Sequence, residues 1–74
     1  MKVAVITGGT KGIGRSIRNL FLEKGFKVYI SARNEELDYQ HPNLILYKAD
    51  LAIRENITSF AQFIIQNEKH IDVL

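Results

Sequence analysis

Seventy-four residues carry a net charge of +2, no cysteine, 46% hydrophobic and 24% charged side chains. That balance fits one small folded domain and excludes a disordered or fibrous chain, and the lack of cysteine excludes disulfide frameworks and thiolate metal sites and agrees with a reducing, cytoplasmic setting. The basic residues are scattered and the apolar runs are only a few residues long, so neither a nucleic-acid surface nor a membrane span is expected. Met1 leads into a strand pattern rather than a signal peptide, and a chain this short buries only about 60% of its unfolded surface, so its stability alone should be marginal.

Residues 2–6 read as a buried parallel strand. Ile13, Ile17, Leu20 and Phe21 then recur at helical spacing over residues 13–24, and Gly25 suits the C′ position that ends a helix. Residues 27–32 form the next strand. Residues 33–43 are polar and hold the only proline; residues 35–39 could add a helical turn or two. Residues 44–48 are a third strand, ending at Asp50. A second helix follows, with Ile57, Phe60, Ala61, Ile64 and Ile65 on one face, and residues 71–74 begin a fourth strand. Strands alternating with helices imply an α/β fold with a doubly wound parallel sheet. Its order would be 3-2-1-4, with a ligand crevice beside the first strand, where the winding reverses.

Between the first strand and the first helix, residues 7–14 read Thr-Gly-Gly-Thr-Lys-Gly-Ile-Gly. Strand, glycine-rich turn and helix in that order make a phosphate cradle: the first N–H groups of a helix lack intrahelical partners and the peptide dipoles leave about half a positive charge there. Glycines let the main chain turn sharply and approach a ligand closely. A frame shifted by one glycine, residues 9–16, comes near the P-loop pattern, but Arg15 replaces the lysine that reaches the β and γ phosphates, which disfavours triphosphate hydrolysis. Ser16 has no histidine partner for a nucleophilic role. His41 and His70 lie in polar surroundings with no second histidine at ligand spacing; both are expected at the surface, and no metal site is expected.

Thr7, Gly8, Gly12, Ile13 and Gly14 resemble the glycine turn of the short-chain dehydrogenase/reductase family. Three more matches go with it: the strand before the turn, the Asp50-Leu51 pair closing the third strand, and the run Ile71-Asp72-Val73-Leu74 as the fourth. The resemblance covers the whole chain but only the first third or so of a family member. It implies the first half of a Rossmann fold, β-α-β-(α)-β-α-β, with residues 1–74 a partial NAD(P)-binding domain. It further implies that Gly8, Thr10, Lys11, Gly12, Ile13 and Gly14 wrap the adenosine phosphates, that Asp50 accepts a hydrogen bond from the adenine amino group, and that the Leu51 backbone lies along the ring. The alternative for Asp50 is a cap for the following helix, a role that can coexist with the first and gains weight because Ala52 stands where the family often has a Ser or Thr cap.

Cofactor choice follows from charge. An NAD site places an acid about 20 residues beyond the glycines, on the ribose 2′-hydroxyl. Here that position is Ala32, followed by the cation Arg33, with Lys11 in the turn and Ser31 as a hydroxyl donor. NADP is therefore expected over NAD, the alternative being that Lys11 and Arg33 are solvated surface charges.

The family's catalytic acid is a tyrosine with a lysine four positions on. Tyr29, Tyr39 and Tyr47 are followed at that spacing by Arg33, Asn43 and Leu51, so no catalytic residue is assigned. Tyr29 and Tyr47 read instead as strand side chains with apolar rings and polar tips. The resemblance implies an NADP-linked oxidoreductase that interconverts a small-molecule carbonyl and alcohol by hydride transfer, homo-oligomeric as the parent protein, with this chain supplying the cofactor-binding part. The alternative is a non-catalytic nucleotide-binding or interaction module. Ending at residue 74 would leave the fourth strand with an unpaired edge, so a free chain of this length is expected to associate.

Overall fold

The structure, a computed structural model, describes residues 1–8, 10, 12–33 and 40–74. The expected phosphate-binding Lys11 and the possible helical turn over residues 35–39 lie outside the described residues. The order is β1 (Val3–Thr7), α1 (Gly12–Glu23), β2 (Lys27–Ala32), β3 (Leu44–Lys48) and α2 (Arg54–Asn67). The three strands form one parallel sheet in the order β1-β2-β3, with Thr7 opposite Ser31 and Ser31 opposite Tyr47.

Alternation along the strands divides the core into two layers. Val3, Val5 and Tyr29 point to one face and pack with Phe60 and Ile64 of α2. Ala4, Val28, Ile30 and Leu44 point to the other and pack with Leu22 of α1. One helix on each face of a parallel sheet is the doubly wound arrangement expected from the element order. Fully burying an aliphatic side chain stabilises by roughly 1.5–3 kcal/mol, so these two layers supply the main favourable contribution to folding.

α1 ends as its sequence suggests. Phe26 N–H donates to Phe21 O (3.0 Å) and Gly25 N–H to Leu22 O (3.1 Å), the paired bonds of a Schellman ending, and the Phe21 and Phe26 rings meet edge to face at 4.8 Å.

The apolar stripes of both helices are rotated relative to expectation. On α1 the buried residues are Arg18 and Leu22, whereas Ile13, Ile17 and Leu20 are exposed. The Arg18 guanidinium is fully buried and its Nε donates to Asn19 Oδ1 (3.0 Å). On α2, Phe60 and Ile64 are buried, while Ile57, Ala61 and Ile65 are exposed. Each helix thus lays only one flank of its stripe on the sheet.

The fourth strand is shorter than the sequence pattern suggests. Ala4 already pairs with Val28, so its parallel bridge to Val73 must lie on the opposite edge of β1, as a 3-2-1-4 order requires. Backbone bonds tie residues 72 and 73 to β1: Val5 N–H donates to Val73 O (2.9 Å), and Val73 N–H (3.1 Å) and Asp72 N–H (2.8 Å) both donate to Val3 O. The reason for the short ladder is chemical. A continued ladder would give the Val3 N–H to the Ile71 carbonyl, but Asp72 Oδ2 accepts it instead, at 2.8 Å.

The amino-terminal end of the sheet is tied by side chains. Tyr29 is 1% exposed, and its hydroxyl donates to Glu68 Oε2 (2.7 Å), an oxygen that Lys27 Nζ also reaches. Tyr47 stacks its ring near Phe60 and Phe63, with centroids 5.4 and 5.1 Å away. Both tyrosines are strand side chains of the expected kind.

Candidate functional site

β1 ends at Thr7, and the chain must leave the sheet, turn and re-enter as α1 within four residues. Gly8 and Gly12 make this possible, at φ +70° and +63°, a region that costs an L-residue with a Cβ roughly 1–2 kcal/mol. A Cβ built on either glycine would meet no atom within 4 Å, so among the described residues the requirement is for backbone conformation and not for space. The Gly8 N–H donates to Ser31 O (3.0 Å), which pins the turn to the end of β2.

Beside this turn lies a cleft of about 280 Å³ at the carboxyl ends of the three strands. Six residues singled out by sequence line it: Gly8, Thr10, Ser31, Arg33, Asp50 and Leu51. Thr10 and Ser31 are buried and Arg33 is exposed at the rim. Gly12, Ile13 and Gly14 stand in the first turn of α1 and do not line the cleft; the Ile13 side chain points outward, 80% exposed, so what that turn offers is its backbone N–H groups. That turn carries no acidic residue that would compete with an anion. Lys11 lies outside the described residues.

Asp50 is held by its own neighbourhood. Its Oδ1 accepts from Ala52 N–H (2.9 Å), and its carbonyl accepts from Ile53 N–H (3.1 Å) and from Asn56 Nδ2 (3.0 Å). The N-cap of α2 is Ile53, without a side-chain cap bond. Asp50 therefore closes the turn ahead of the helix rather than capping it, and one carboxylate oxygen is engaged in doing so.

Thr7, Ala32, Ala49 and Ala52 complete the lining. The sequence reading named Thr7 as part of the turn motif and Ala52 as a cap position, gave neither a cofactor contact, and missed Ala49; small residues at the carboxyl ends of successive parallel strands were the available signal. A neighbouring groove of about 330 Å³ shares Thr7 and Leu51 and is walled by apolar residues of α2 and residues 71 and 74. His41 departs from expectation: it is half-buried, and its Nδ1 accepts from Asn43 N–H (3.0 Å), shaping the turn into β3. Among the described residues no group of three His, Cys, Asp or Glu side chains could hold a metal ion, and no helix is long and apolar enough to cross a membrane.

These features define an α/β protein whose glycine-rich turn and strand ends form one cleft at the carboxyl side of a parallel sheet. The chain belongs to the short chain dehydrogenase family, whose model matches residues 2–74. It is 31% identical over 80 residues to zerumbone synthase of Zingiber zerumbet, a match that takes in 99% of this chain and 30% of that protein. Among solved structures, 4-hydroxyisoleucine dehydrogenase complexed with NADH superposes with a TM-score of 0.79 at 25% identity, covering 90% of this chain and 29% of that one. An alcohol dehydrogenase from Thermococcus sibiricus, complexed with 5-hydroxy-NADP, shares the fold with a TM-score of 0.80 at 24% identity, covering 99% and 35%. The chain spans about a third of the length of these relatives. Structural neighbours thus hold nicotinamide cofactors of both kinds.

Proposed function

We propose that this chain supplies the adenosine and pyrophosphate site of an NADP-dependent oxidoreductase that interconverts a small-molecule carbonyl and alcohol. The observation that carries the reading is the convergence of Gly8, Thr10, Ser31, Arg33, Asp50 and Leu51 on one cleft beside the start of α1, with Ala32 where an NAD site keeps an acid. The backbone from Gly8 to Gly14, with Lys11, would hold the phosphates. Ser31 and Arg33 would receive the 2′-phosphate. Asp50 would take the adenine amino group, and the Leu51 backbone would flank the ring. The nicotinamide, when bound, supplies or accepts the hydride. The residues that orient and protonate the substrate carbonyl are not assigned to any position of this chain.

The test is a melting assay on the chain with NADP, NAD and ATP, repeated on Arg33→Asp. NADP should raise the midpoint more than NAD, and the variant should reverse that order. Equal stabilisation of the parent by NADP and NAD would remove the proposed preference, and stabilisation by ATP alone would remove the reading itself. A cofactor-binding chain without any partner for catalysis would show the same binding order with no turnover.

A further inference from the structure

Away from the cleft, an ionisable cluster among the described residues sits at the opposite end of the sheet. Glu68 is the residue that ends α2: its N–H donates to Ile64 O (2.8 Å) and its own backbone is already extended. One of its carboxylate oxygens accepts from the buried Tyr29 hydroxyl and from Lys27 Nζ, so two groups of β2 converge on one atom at the end of the helix. Residues 69–73 run from this point back along β1, where the Val73 bridge and the Asp72 contact attach them.

We infer that Glu68 is an acid-released latch, whose carboxylate holds the carboxyl end of α2 and the segment after it against the sheet, and whose protonation frees them. Among the described residues, the charges around it are few. Lys27 and Tyr29 face it from β2, and Lys69 and His70 follow it in the chain. His70 Nε2 lies 3.1 Å from Asp72 Oδ2, the oxygen that also takes the Val3 N–H. The Lys2 side chain, ahead of β1, lies over the Phe26 ring at 5.9 Å.

The chemistry gives the direction. An ionised carboxylate is a stronger acceptor than a neutral acid, and the Tyr29 hydroxyl is cut off from water and needs an acceptor. The bond from Lys27, and then that from Tyr29, hold the Glu68 carboxyl below its ordinary value of 4.5. A depressed folded-state value means that the latch is closed above the ordinary value and is lost as the pH falls through the depressed one. α2 would then loosen at its last residues, beyond Ile64, while Phe60 and Ile64 stay packed on the sheet.

Amide hydrogen exchange on the chain, followed from about pH 6 to about pH 3.5 across the ordinary glutamate range, tests this. Protection at the Glu68 and Val5 amides, corrected for the intrinsic rate, should fall several-fold, towards the limit of about tenfold that one proton allows a pH unit below the ordinary value, while Ile30 in β2 stays protected. Glu68→Gln imitates the neutral acid, so it should show the low protection at every pH and no acid step. Asp72→Asn should keep the step. Should Glu68→Gln fail to fold, Tyr29→Phe should raise the pH of the step by removing a donor to the charged form. Unchanged protection in the parent chain across that range would overturn the latch. So would an acid step that persists in Glu68→Gln, that disappears in Asp72→Asn, or that stays at the same pH in Tyr29→Phe.

Discussion

The two ends of the sheet treat their polar groups in opposite ways. At the amino end the chain pairs them internally: Tyr29 and Lys27 on Glu68, and Val3 N–H on Asp72. At the carboxyl end it gathers Thr10, Ser31, Arg33 and Asp50 around a cleft and sets the first turn of α1, which carries no acidic residue, beside it. The same strand serves both ends, with Tyr29 and Ser31 only two residues apart in β2. Groups spent on one another hold a fold together, and groups left available can hold a ligand. Changes at the amino end should therefore act on stability, and changes at the carboxyl end on which nucleotide is held.

The largest effect belongs to the amino end. Tyr29→Ala empties a fully buried aromatic site, and removing a buried aromatic costs about 3–5 kcal/mol, close to the whole stability of a domain this small. A circular-dichroism melt should show no cooperative transition; a melt close to that of the parent chain would break the contrast. At the carboxyl end, Gly8→Val puts a β-branched residue at φ +70°, where the backbone cost is roughly 1–2 kcal/mol. Its melt should fall by less, yet NADP should no longer raise it. Ala32→Asp puts an acid at a cleft position that is only 8% exposed, so its melt without ligand should fall, by less than that of Tyr29→Ala. NADP should weaken by about tenfold or more, as expected when a charge-assisted hydrogen bond of about 1.5–3 kcal/mol is opposed, a change that titration calorimetry would read.

The smallest effect concerns pH. The bond to Glu68 raises the Lys27 ammonium above its ordinary 10.5, so its contribution is present below that value and fades as the pH climbs through the raised one. Glu68, depressed, contributes above 4.5 and fades in acid. Lys27→Met should flatten the alkaline limb of the melting profile and shift the acid limb towards higher pH. An unaltered profile would show that the pair adds nothing measurable, as exposed ion pairs often do.

Much of this was legible in the sequence because it depends on local pattern. Gly25 ends α1 through bonds among residues 21–26, and β3 occupies Leu44–Lys48 as its apolar run suggested. The cleft was legible because one motif fixes the turn and parallel pairing fixes which strand ends meet it. Helix faces were harder. Spacing located a stripe through Ile13, Ile17 and Leu20, but which flank meets the sheet depends on the angle of the helix, and the buried position went to Arg18. The Glu68 to Tyr29 and Asp72 to Val3 contacts join residues 39 and 69 positions apart, a separation that no window of sequence spans. For the same reason residues 71–74 read as a full strand, whereas a side chain takes the ladder position before Val73.

The central claim is that the carboxyl end of the sheet is the nucleotide end, shaped for a 2′-phosphate. The most direct test is an amide nitrogen NMR titration of the chain with NADP and then with NAD. The account predicts shifts at Gly8, Thr10, Gly12 to Gly14, Ser31 to Arg33 and Asp50 to Ala52, saturating at lower concentration with NADP, while Lys27, Glu68 and Asp72 stay in place. Shifts centred on the amino end, or identical saturation by the two nucleotides, would contradict it.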